Sequence, residues 1–251
     1  MNERPGVVVA VPAHDEEATI AECLDSLVRA LRWARRRRVI AEATIQVAAH
    51  RCSDRTWECA RDALPDHLAE GVAADDRAVT IGRVRGRAVA RGLAALARPA
   101  ASTWIFSTDA DTIVPRRWVV DMLRSASRHD ADVVVGLAEL DRFRGSRPAQ
   151  AAYEAILRAG YHRDGSPMNA HDHVYGANLA VRADAYLRVG GFPDVVHGED
   201  RLLVQALVDS GARVLRTRDV AVTTSGRLIG RAPDGLAGLL RGLDETSHVS
   251  V

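Results

Sequence analysis

The stretch Trp104–Thr112, with the sequence WIFSTDADT, joins a short apolar run to two aspartates spaced two residues apart. The apolar residues predict a buried strand, and the polar residues after it put Asp109 and Asp111 at its carboxyl end. In open sheets built from alternating strands and helices, ligands bind at that edge. Hard divalent cations bind carboxylate oxygens together with substrate phosphates, so these aspartates suit a cation that holds a phosphate. Asp turns and helix caps would explain the same residues without a ligand.

Segments with strand and helix periodicity alternate on both sides of this stretch, which predicts a mostly parallel central sheet with helices on both faces. We expect strands at Val7–Val11, Thr44–Ala49, Val79–Ile81, Trp104–Ser107, Val133–Leu137, Arg213–Leu215 and Val220–Thr223. We expect helices from Ile20 to the run Arg35–Arg38, after Ser53, and at Arg87–Leu96, Arg116–Ser127, Arg182–Val189, Asp200–Ser210 and Leu236–Leu243. Arg142–Pro148 and Tyr161–Val174 predict loops, and Glu245–Val251 predicts a flexible C-terminal tail.

The composition is that of a globular protein, and residues 1–251 predict a single α/β domain. Arginine supplies all 34 basic residues, which excludes chemistry that needs a lysine. Because 33 acidic residues leave a net charge of only +1, we expect no nucleic-acid partner. Three cysteines are too few for a disulfide framework and indicate a reduced, cytoplasmic protein. The sequence shows no apolar segment long enough to predict a transmembrane helix.

Two further acidic motifs lie at positions where ligands bind in this class of fold, after a predicted strand and before a predicted helix. PAHDEE, residues 12–17, follows the first predicted strand, and its carboxylates suit the ribose or base of a nucleotide. HGED, residues 197–200, precedes a predicted helix, where a carboxylate that faces a pocket could act as a general base on a hydroxyl group. Helix capping and compensation of the helix dipole would also explain both motifs.

Five motifs together resemble the family 2 glycosyltransferases, which have the GT-A fold, by their order and spacing. They are VPAHDEE, TDADT, GANLAVR, VGGF and GEDR, at residues 11–17, 108–112, 176–182, 189–192 and 198–201. No single motif is decisive, but the ordered set is fairly specific and covers about residues 6–231. The resemblance implies a nucleotide-sugar-binding half, residues 1–112, and an acceptor-binding half, residues 113–251, within one GT-A domain.

The resemblance also implies a donor site for a nucleotide-diphosphate sugar, with UDP favoured as the nucleotide. Asp111, with Asp109, would hold Mn²⁺ or Mg²⁺ against the donor diphosphate. The contacts expected with the donor nucleotide are Pro12, His14, Glu16, Glu17, His50, Asp54, Arg85, Arg87, Asp109 and Ala110. Surface solubility would equally explain the two arginines of this set.

On the acceptor side, Asp200 matches the family's catalytic base, and Glu199 would help to position the acceptor or the sugar. The contacts expected with the acceptor or the sugar are Tyr175, Gly176, Asn178, His197 and Arg227. The family match implies one in-line displacement that inverts the anomeric carbon. Since the signature of processive polysaccharide synthases is missing, we expect transfer of one sugar to a hydroxyl of a small or lipid-linked acceptor.

Two features depart from the family pattern or stay open. The acidic pair that commonly follows the second strand is absent from residues 48–54, AAHRCSD, so that His50 or Asp54 would have to replace it at the nucleobase. His171 and His173 flank an aspartate, and in a strand they would share one face and form a possible pair of additional metal ligands. A polar loop on the acceptor side would explain these histidines equally well.

Two other functions compete with glycosyl transfer. A sugar-phosphate nucleotidyltransferase would have a similar fold, but no glycine-rich phosphate loop followed by a basic residue lies near the first strand. A catalytically silent scaffold that binds nucleotide sugars would not need all three acidic motifs. A dinucleotide-binding dehydrogenase is disfavoured because GxGxxG is absent after the first strand.

Overall fold

A computed structural model of the protein describes residues 4–141, 143, 145–160, 171–230 and 236–248. Within these ranges it contains one eight-stranded mixed sheet with helices around it, and this confirms the predicted α/β fold. The strands are β1 (Gly6–Ala13), β2 (Glu42–Ala49), β3 (Val72–Ala74), β4 (Thr103–Ser107), β5 (Thr112–Ile113), β6 (Val133–Asp141), β7 (Leu179–Arg182) and β8 (Val214–Ser225). The helices are α1 (Ile20–Arg36), α2 (Thr56–Ala63), α3 (Asp66–Ala69), α4 (Ile81–Leu96), α5 (Trp118–Arg128), α6 (Arg147–Ala159), α7 (Ala183–Arg188), α8 (Glu199–Asp209) and α9 (Leu236–His248).

The sheet has a parallel part and a mixed part. Its strand order is β3-β2-β1-β4-β7-β6-β8-β5, and the first four strands run parallel to one another. β7 pairs antiparallel with both β4 and β6, whereas β6 and β8 are parallel. The carboxyl ends of β1, β2 and β4 therefore meet at one edge, which is the edge expected to bind ligands.

The hydrophobic core lies on both faces of the sheet. β1 is buried along its whole length. Its consecutive residues Val9 and Ala10 belong to two different core clusters, one for each face of the sheet. Continuous apolar runs of this kind are typical of parallel strands that are covered on both faces. None of the helices in the described part of the chain is long and apolar enough to cross a membrane.

One predicted strand is wrong. Val79–Ile81 is not a strand, because Val79 is exposed and the helix α4 begins at Ile81. The side chain of Thr80 caps this helix by accepting a hydrogen bond from the backbone N–H of Arg83 at 3.3 Å. A short apolar run without clear periodicity fits a strand and a capped helix start equally well. The third strand lies earlier, at Val72–Ala74.

The structure differs from the prediction most in the second half of the chain. The strands β5 and β7 and the helix α6 were not predicted, and the two short strands predicted after residue 212 form one strand, β8. Helix α9 continues to His248, into the segment predicted to be a tail. Residues 161–170 of the predicted loop Tyr161–Val174, and residues 249–251, lie outside the described residues.

A bulge in β8, opposite Gly136 of β6, is held by one buried side chain, that of Asn178. The register between β6 and β8 shifts between Val135 and Leu137. The amide nitrogen of Asn178 donates to the backbone oxygens of Leu137 and Val220, at 2.8 and 2.9 Å, while its oxygen accepts from the indole N–H of Trp118 at 2.8 Å. A side chain at Gly136 would lie only 2.3 Å from the Asn178 amide nitrogen. Asn178 thus joins β6, β8 and α5 beneath the site.

Candidate active site

The edge formed by β1 and β4 brings two of the acidic motifs together. The strands pair in parallel, with Ala10 opposite Ser107. Glu16 follows the first of these strands, while Asp109 and Asp111 follow the second. The Glu16 and Asp111 side chains are 7% and 13% exposed, so that two carboxyl groups are largely removed from water at this edge.

Arg227 supplies a positive charge to this acidic group. It follows β8, and its guanidinium binds both carboxylate oxygens of Glu16, with Nη1 at 2.8 Å from Oε2. The Nη2 atom also lies 3.1 Å from Oδ2 of Asp111. The residue expected to contact the acceptor or the sugar is therefore ion-paired with carboxylates of the expected donor side.

A second arginine, the buried Arg85 on α4, connects the two halves of the site. Its Nη2 donates to Oδ1 of Asp109 at 2.5 Å, and its Nε donates to Oε1 of Glu199 at 2.8 Å. Although burial opposes the charge, the two carboxylates hold the pKa of Arg85 above its usual value. A side chain at Gly176 would lie 2.7 Å from the guanidinium, so glycine gives the arginine its room.

Asp200 lies in the first turn of α8, next to this arrangement. Its Oδ2 accepts a hydrogen bond from the backbone N–H of Gly176 at 2.6 Å, and its Oδ1 accepts one from the N–H of Arg201 at 2.7 Å. Burial and the neighbouring Glu199 raise the pKa of Asp200, although Arg85 and the two N–H groups act in the opposite direction. A carboxylate with a raised pKa is a stronger base than an ordinary aspartate.

The pKa of Asp111 is also raised. Burial and the charge of Asp109 raise it to about 6, while Arg227 lowers it. The threonines Thr112 and Thr224 lie beneath it: the Oγ1 atoms are 3.1 Å apart, and that of Thr224 is 3.4 Å from Oδ1 of Asp111. At neutral pH the group is ionised, and a nearby cation would hold it so at lower pH.

A cavity of about 670 Å³ joins these groups. This volume is within the range of small-molecule sites. The expected donor contacts that line it are Pro12, His14, Glu16, His50, Arg85, Asp109, Ala110 and Asp111. The expected catalytic, acceptor and sugar residues that line it are Tyr175, Gly176, His197, Glu199, Asp200 and Arg227. The two halves of the chain therefore contribute to one cavity.

Two histidines lie at the β1–β2 end of this cavity with defined orientations. Nδ1 of His50 lies 2.8 Å from the backbone oxygen of Asp75, and Nδ1 of His14 lies 2.8 Å from the backbone oxygen of His50. Because a carbonyl oxygen only accepts hydrogen bonds, each Nδ1 carries the proton. The Nε2 atom of a neutral ring is then an acceptor. Asp75 has no motif that would have singled it out from the sequence.

Three expected donor contacts do not line the cavity. Asp54 accepts hydrogen bonds from the backbone N–H groups of Glu17 and Thr56, at 3.1 and 3.0 Å, and Glu17 accepts one from the N–H of Arg55. Arg87 pairs with the buried Asp75 at 2.5 Å. These side chains hold the loops after β1, β2 and β3 through contacts within the protein.

Three residues expected in the acceptor or metal site are also absent from the cavity lining. Asn178 is fully buried at the bulge described above. Nε2 of His171 lies 3.2 Å from the backbone oxygen of Thr217, and burial lowers its pKa to about 4. Nε2 of His173 lies 3.0 Å from the backbone oxygen of Leu157. Each histidine thus directs one ring nitrogen at a backbone carbonyl, and neither lines the cavity that contains Asp109 and Asp111, so their role as metal ligands stays a prediction.

The structure also brings together His14, Asp15 and Cys52, a group that the sequence did not indicate. One ligand atom from each lies within 4.8 Å of the others. However, Asp15 accepts the backbone N–H of Ser53 at 2.7 Å, and burial raises the pKa of the Cys52 thiol. Since a thiol binds metal as the thiolate, these contacts favour a structural role in the loops after β1 and β2.

Comparisons with solved structures place this arrangement in a known fold. The mannosyltransferase PcManGT from Pyrobaculum calidifontis, in complex with GDP-Man and Mn²⁺, is 19% identical with a TM-score of 0.64, over 92% of this chain and 59% of that one. TarS 1–349 from S. aureus, in complex with UDP-GlcNAc, is 15% identical with a TM-score of 0.62, over 92% of this chain and 61% of that one. The chain thus spans about three fifths of the length of these proteins.

A match in sequence identifies a protein family more specifically than a shared fold does. The search of curated proteins gives no significant match. The family model described as glycosyl transferase family 2 matches residues 8–147, a segment that includes the first two acidic motifs and the strands that carry them. This segment is more than half of the chain, and the predicted resemblance is confirmed: the chain belongs to glycosyl transferase family 2.

Proposed function

We propose that this chain transfers one sugar from a nucleotide-diphosphate sugar to a hydroxyl group, with inversion at the anomeric carbon. One observation carries this proposal. A single cavity is lined at one end by the carboxylates of Glu16, Asp109 and Asp111 and at the other by Asp200, a carboxyl group with a raised pKa. The first group suits a donor diphosphate with its metal, and the second suits an acceptor hydroxyl.

The donor end has the chemistry of a site for a hard divalent cation. Its carboxylate oxygens are the ligands that Mg²⁺ and Mn²⁺ prefer, and the ion pair from Arg227 to Glu16 and Asp111 indicates that this edge demands positive charge. We therefore assign Asp111, with Asp109, as metal ligands. Such a cation, when bound, neutralises charge on the departing diphosphate. The guanidinium of Arg227 lies close enough to this group to contact the same phosphates after leaving its carboxylates.

The nucleoside would lie at the β1–β2 end, against Pro12, His14, His50 and Ala110. There the Nε2 atom of His50 is an acceptor, which suits an N–H group on the edge of a nucleobase. Uracil and guanine both carry such a group. UDP is our first candidate and GDP the second; UDP-GlcNAc and GDP-Man are bound in the two structural neighbours.

At the other end, Asp200 acts on the acceptor. Its carboxylate takes the proton of the acceptor hydroxyl as the oxygen attacks the anomeric carbon of the donor sugar. The new carbon–oxygen bond forms while the bond to the diphosphate breaks, and the nucleoside diphosphate leaves with that electron pair. Because attack and departure are in line on opposite faces, the configuration inverts. Gly176 directs the carboxylate through its backbone N–H.

Glu199 and Arg85 hold this end in place. The buried Glu199 accepts from Nε of Arg85, so its charge is matched within the protein. We assign it as a positioning residue for the turn that carries Asp200. Tyr175 and His197 line the cavity around this turn and are the proposed contacts with the sugar or the acceptor.

Thermal unfolding with donor analogues tests the proposed donor site. A ligand that binds only the native state raises the melting temperature. We expect a rise with UDP-sugars or GDP-sugars that requires Mn²⁺ and is lost in Asp111→Asn, while Asp121→Asn on the exposed face of α5 retains it. A rise of equal size without metal, or in Asp111→Asn, would refute the metal assignment.

A further inference from the structure

Several exposed apolar side chains line the cavity, and we refer to Val196, Leu202 and Leu239 together as the apolar wall. Val196, Leu202 and Leu239 line the cavity and are 63%, 48% and 45% exposed. Ile229, which precedes the lining residue Gly230, is 74% exposed. Single exposed apolar side chains are common on proteins, but several around one cavity indicate a surface that binds an apolar group.

Helix α9 supplies one side of this wall. The residues of its described part that line the cavity are Leu236, Ala237 and Leu239, and all three are apolar. The next residue, Leu240, is fully buried in the protein. The helix therefore uses one row of apolar side chains for the core and presents another to the cavity. Packing of the core does not account for this second row of apolar side chains.

The other residues of the wall belong to the segment that carries the proposed base. Val196 precedes the HGED turn, and Leu202 lies with Asp200 in the first turn of α8. Arg201, between them in sequence, also lines the cavity and is exposed. By contrast, the donor end contains Glu16, Asp109 and Asp111 with their arginine partners. The donor end is thus strongly charged, whereas the lining around the base combines the polar residues His197, Glu199 and Arg201 with exposed apolar side chains.

We infer that the acceptor presents its hydroxyl group on an apolar skeleton, such as an alkyl, isoprenoid or aromatic unit, and that Val196, Leu202 and Leu239 bind this skeleton. The inference rests on the proposed function, since it takes Asp200 as the base. A polyhydroxylated acceptor would need hydrogen-bonding partners where this wall offers methyl groups, and its hydroxyls would lose water without replacement. An apolar skeleton gains free energy on leaving water in the same place.

Saturation-transfer NMR with 1-hexanol and sorbitol tests this inference, because the two probes have six carbons and differ in their hydroxyl groups. We expect hexanol to bind and sorbitol to give at most a weak signal. Along the series butanol, hexanol and octanol, we expect the Kd to fall about two- to fourfold per added methylene. Equal or stronger binding of sorbitol, or a Kd that is independent of chain length, would overturn the inference.

Variants locate the binding. In Leu202→Gln/Leu239→Gln we expect the Kd of hexanol to rise at least about fivefold. The control Val208→Gln changes an exposed residue of the same helix that does not line the cavity, and should leave the Kd unchanged. Both target side chains are about half exposed, so the fold should be retained; Val196→Gln is the second test. An equal loss in the control would contradict the assignment.

Two further readouts separate this inference from the proposed function. UDP and GDP with Mg²⁺ are titrated into the same samples. If neither nucleotide binds while hexanol binds at the wall, the proposed function fails and the apolar site remains. If a nucleotide binds but the alcohols do not, the inference alone fails. Sedimentation velocity that shows a dimer dissociated by Leu202→Gln/Leu239→Gln would assign the wall to a second copy of the chain and overturn the inference.

Discussion

Asp111 and Asp200 lie on the same cavity, and burial raises the pKa of both. Their neighbours distinguish them. Asp111 is paired with Arg227 at 3.1 Å and lies beside other acidic groups, whereas Asp200 accepts hydrogen bonds from two backbone N–H groups. The environment of Asp111 suits the replacement of the Arg227 guanidinium by a metal cation. The environment of Asp200 holds a base in one orientation. Donor binding and proton transfer therefore depend on different carboxyl groups.

The pKa of Asp111 predicts how metal binding varies with pH. Since its pKa is raised to about 6, protonation below pH 6 removes the charge that binds a cation. We expect the affinity for Mn²⁺ to be nearly constant above pH 7 and to fall by up to about tenfold per pH unit below 6. Electron paramagnetic resonance of free Mn²⁺ measures this. An affinity unchanged between pH 5 and 8 would contradict the assignment of Asp111.

Arg227 makes a second prediction at this scale. In the structure its guanidinium lies against the two carboxylates that a metal would approach, and it lowers the pKa of Asp111. In Arg227→Gln we expect tighter Mn²⁺ binding at pH 8, because the competing cation is gone, and a pH midpoint shifted upward. The control is Arg213→Gln, whose partner Asp130 is exposed. Weaker Mn²⁺ binding in Arg227→Gln at pH 8 would show that the arginine does not compete.

At the scale of elements, Asn178 holds the bulge in β8 and so supports the site. Its three hydrogen bonds connect β6, β8 and the helix α5, and β8 leads directly to Arg227. The resemblance suggested a contact with the acceptor or the sugar for Asn178. The structure shows instead that the residue does not line the cavity and that its amide donates to backbone carbonyls of β6 and β8 next to the register shift.

Substitution of this residue should be costly for stability. In Asn178→Ala the Trp118 indole and two backbone carbonyls lose their partner in the protein interior. At about 1–3 kcal/mol for each unsatisfied group, we expect the free energy of unfolding to fall by about 3 kcal/mol or more. Chemical denaturation measures this, with the exposed Gln205→Ala on α8 as a control that changes it by less than about 0.5 kcal/mol. A loss below 1 kcal/mol would show that the bulge is held by other contacts.

The sequence predicted the first half of this fold better than the second. Up to Ser107, most apolar runs and helical repeats are long and regular; Val79–Ile81 was misassigned, and the short elements α3 and β3 were not predicted. β7 was missed because GANLAVR is short and was interpreted as a motif, and α6 because its start, SRP, was included in a loop. The pairing of β4 with β7 depends on contacts between distant parts of the chain, and such contacts cannot be predicted from local periodicity.

The site was predictable to a similar degree. Strand ends located Glu16, Asp109 and Asp111, and the GEDR motif located Asp200. The partners of these groups were not predictable, because Arg85 and Arg227 reach carboxylates from 24 to 211 positions away in the sequence. Glu17, Asp54 and Arg87 resemble ligands by position, yet the structure uses their side chains to hold loops.

At the scale of the whole molecule, Arg85 joins the two halves of the chain. It extends from α4 to Asp109 on one side and to Glu199 on the other, and all but 4% of the residue is buried. Its charge therefore depends on carboxylates from both halves. The same connection places the proposed donor and acceptor ends of the cavity at a fixed separation.

Removal of this arginine should weaken the whole fold. Arg85→Ala leaves the buried Glu199 without its cation, and breaking a buried pair costs about 3–5 kcal/mol. Arg83→Ala, on the same helix, removes an exposed pair with Asp194 and should cost less than about 1 kcal/mol. Denaturation of both variants by urea compares them directly. Equal stability of the two variants would refute a structural role for the buried bridge.

The measurement that tests the central claim most directly compares donor binding with turnover in Asp200→Asn. The substrate is the nucleotide sugar selected by the thermal panel, and turnover is the release of nucleoside diphosphate with water as the acceptor. We expect the Kd of the donor to stay within about twofold of the wild-type value, while release falls about 10²- to 10⁴-fold, as expected for loss of a general base. Unchanged release in Asp200→Asn would contradict the account.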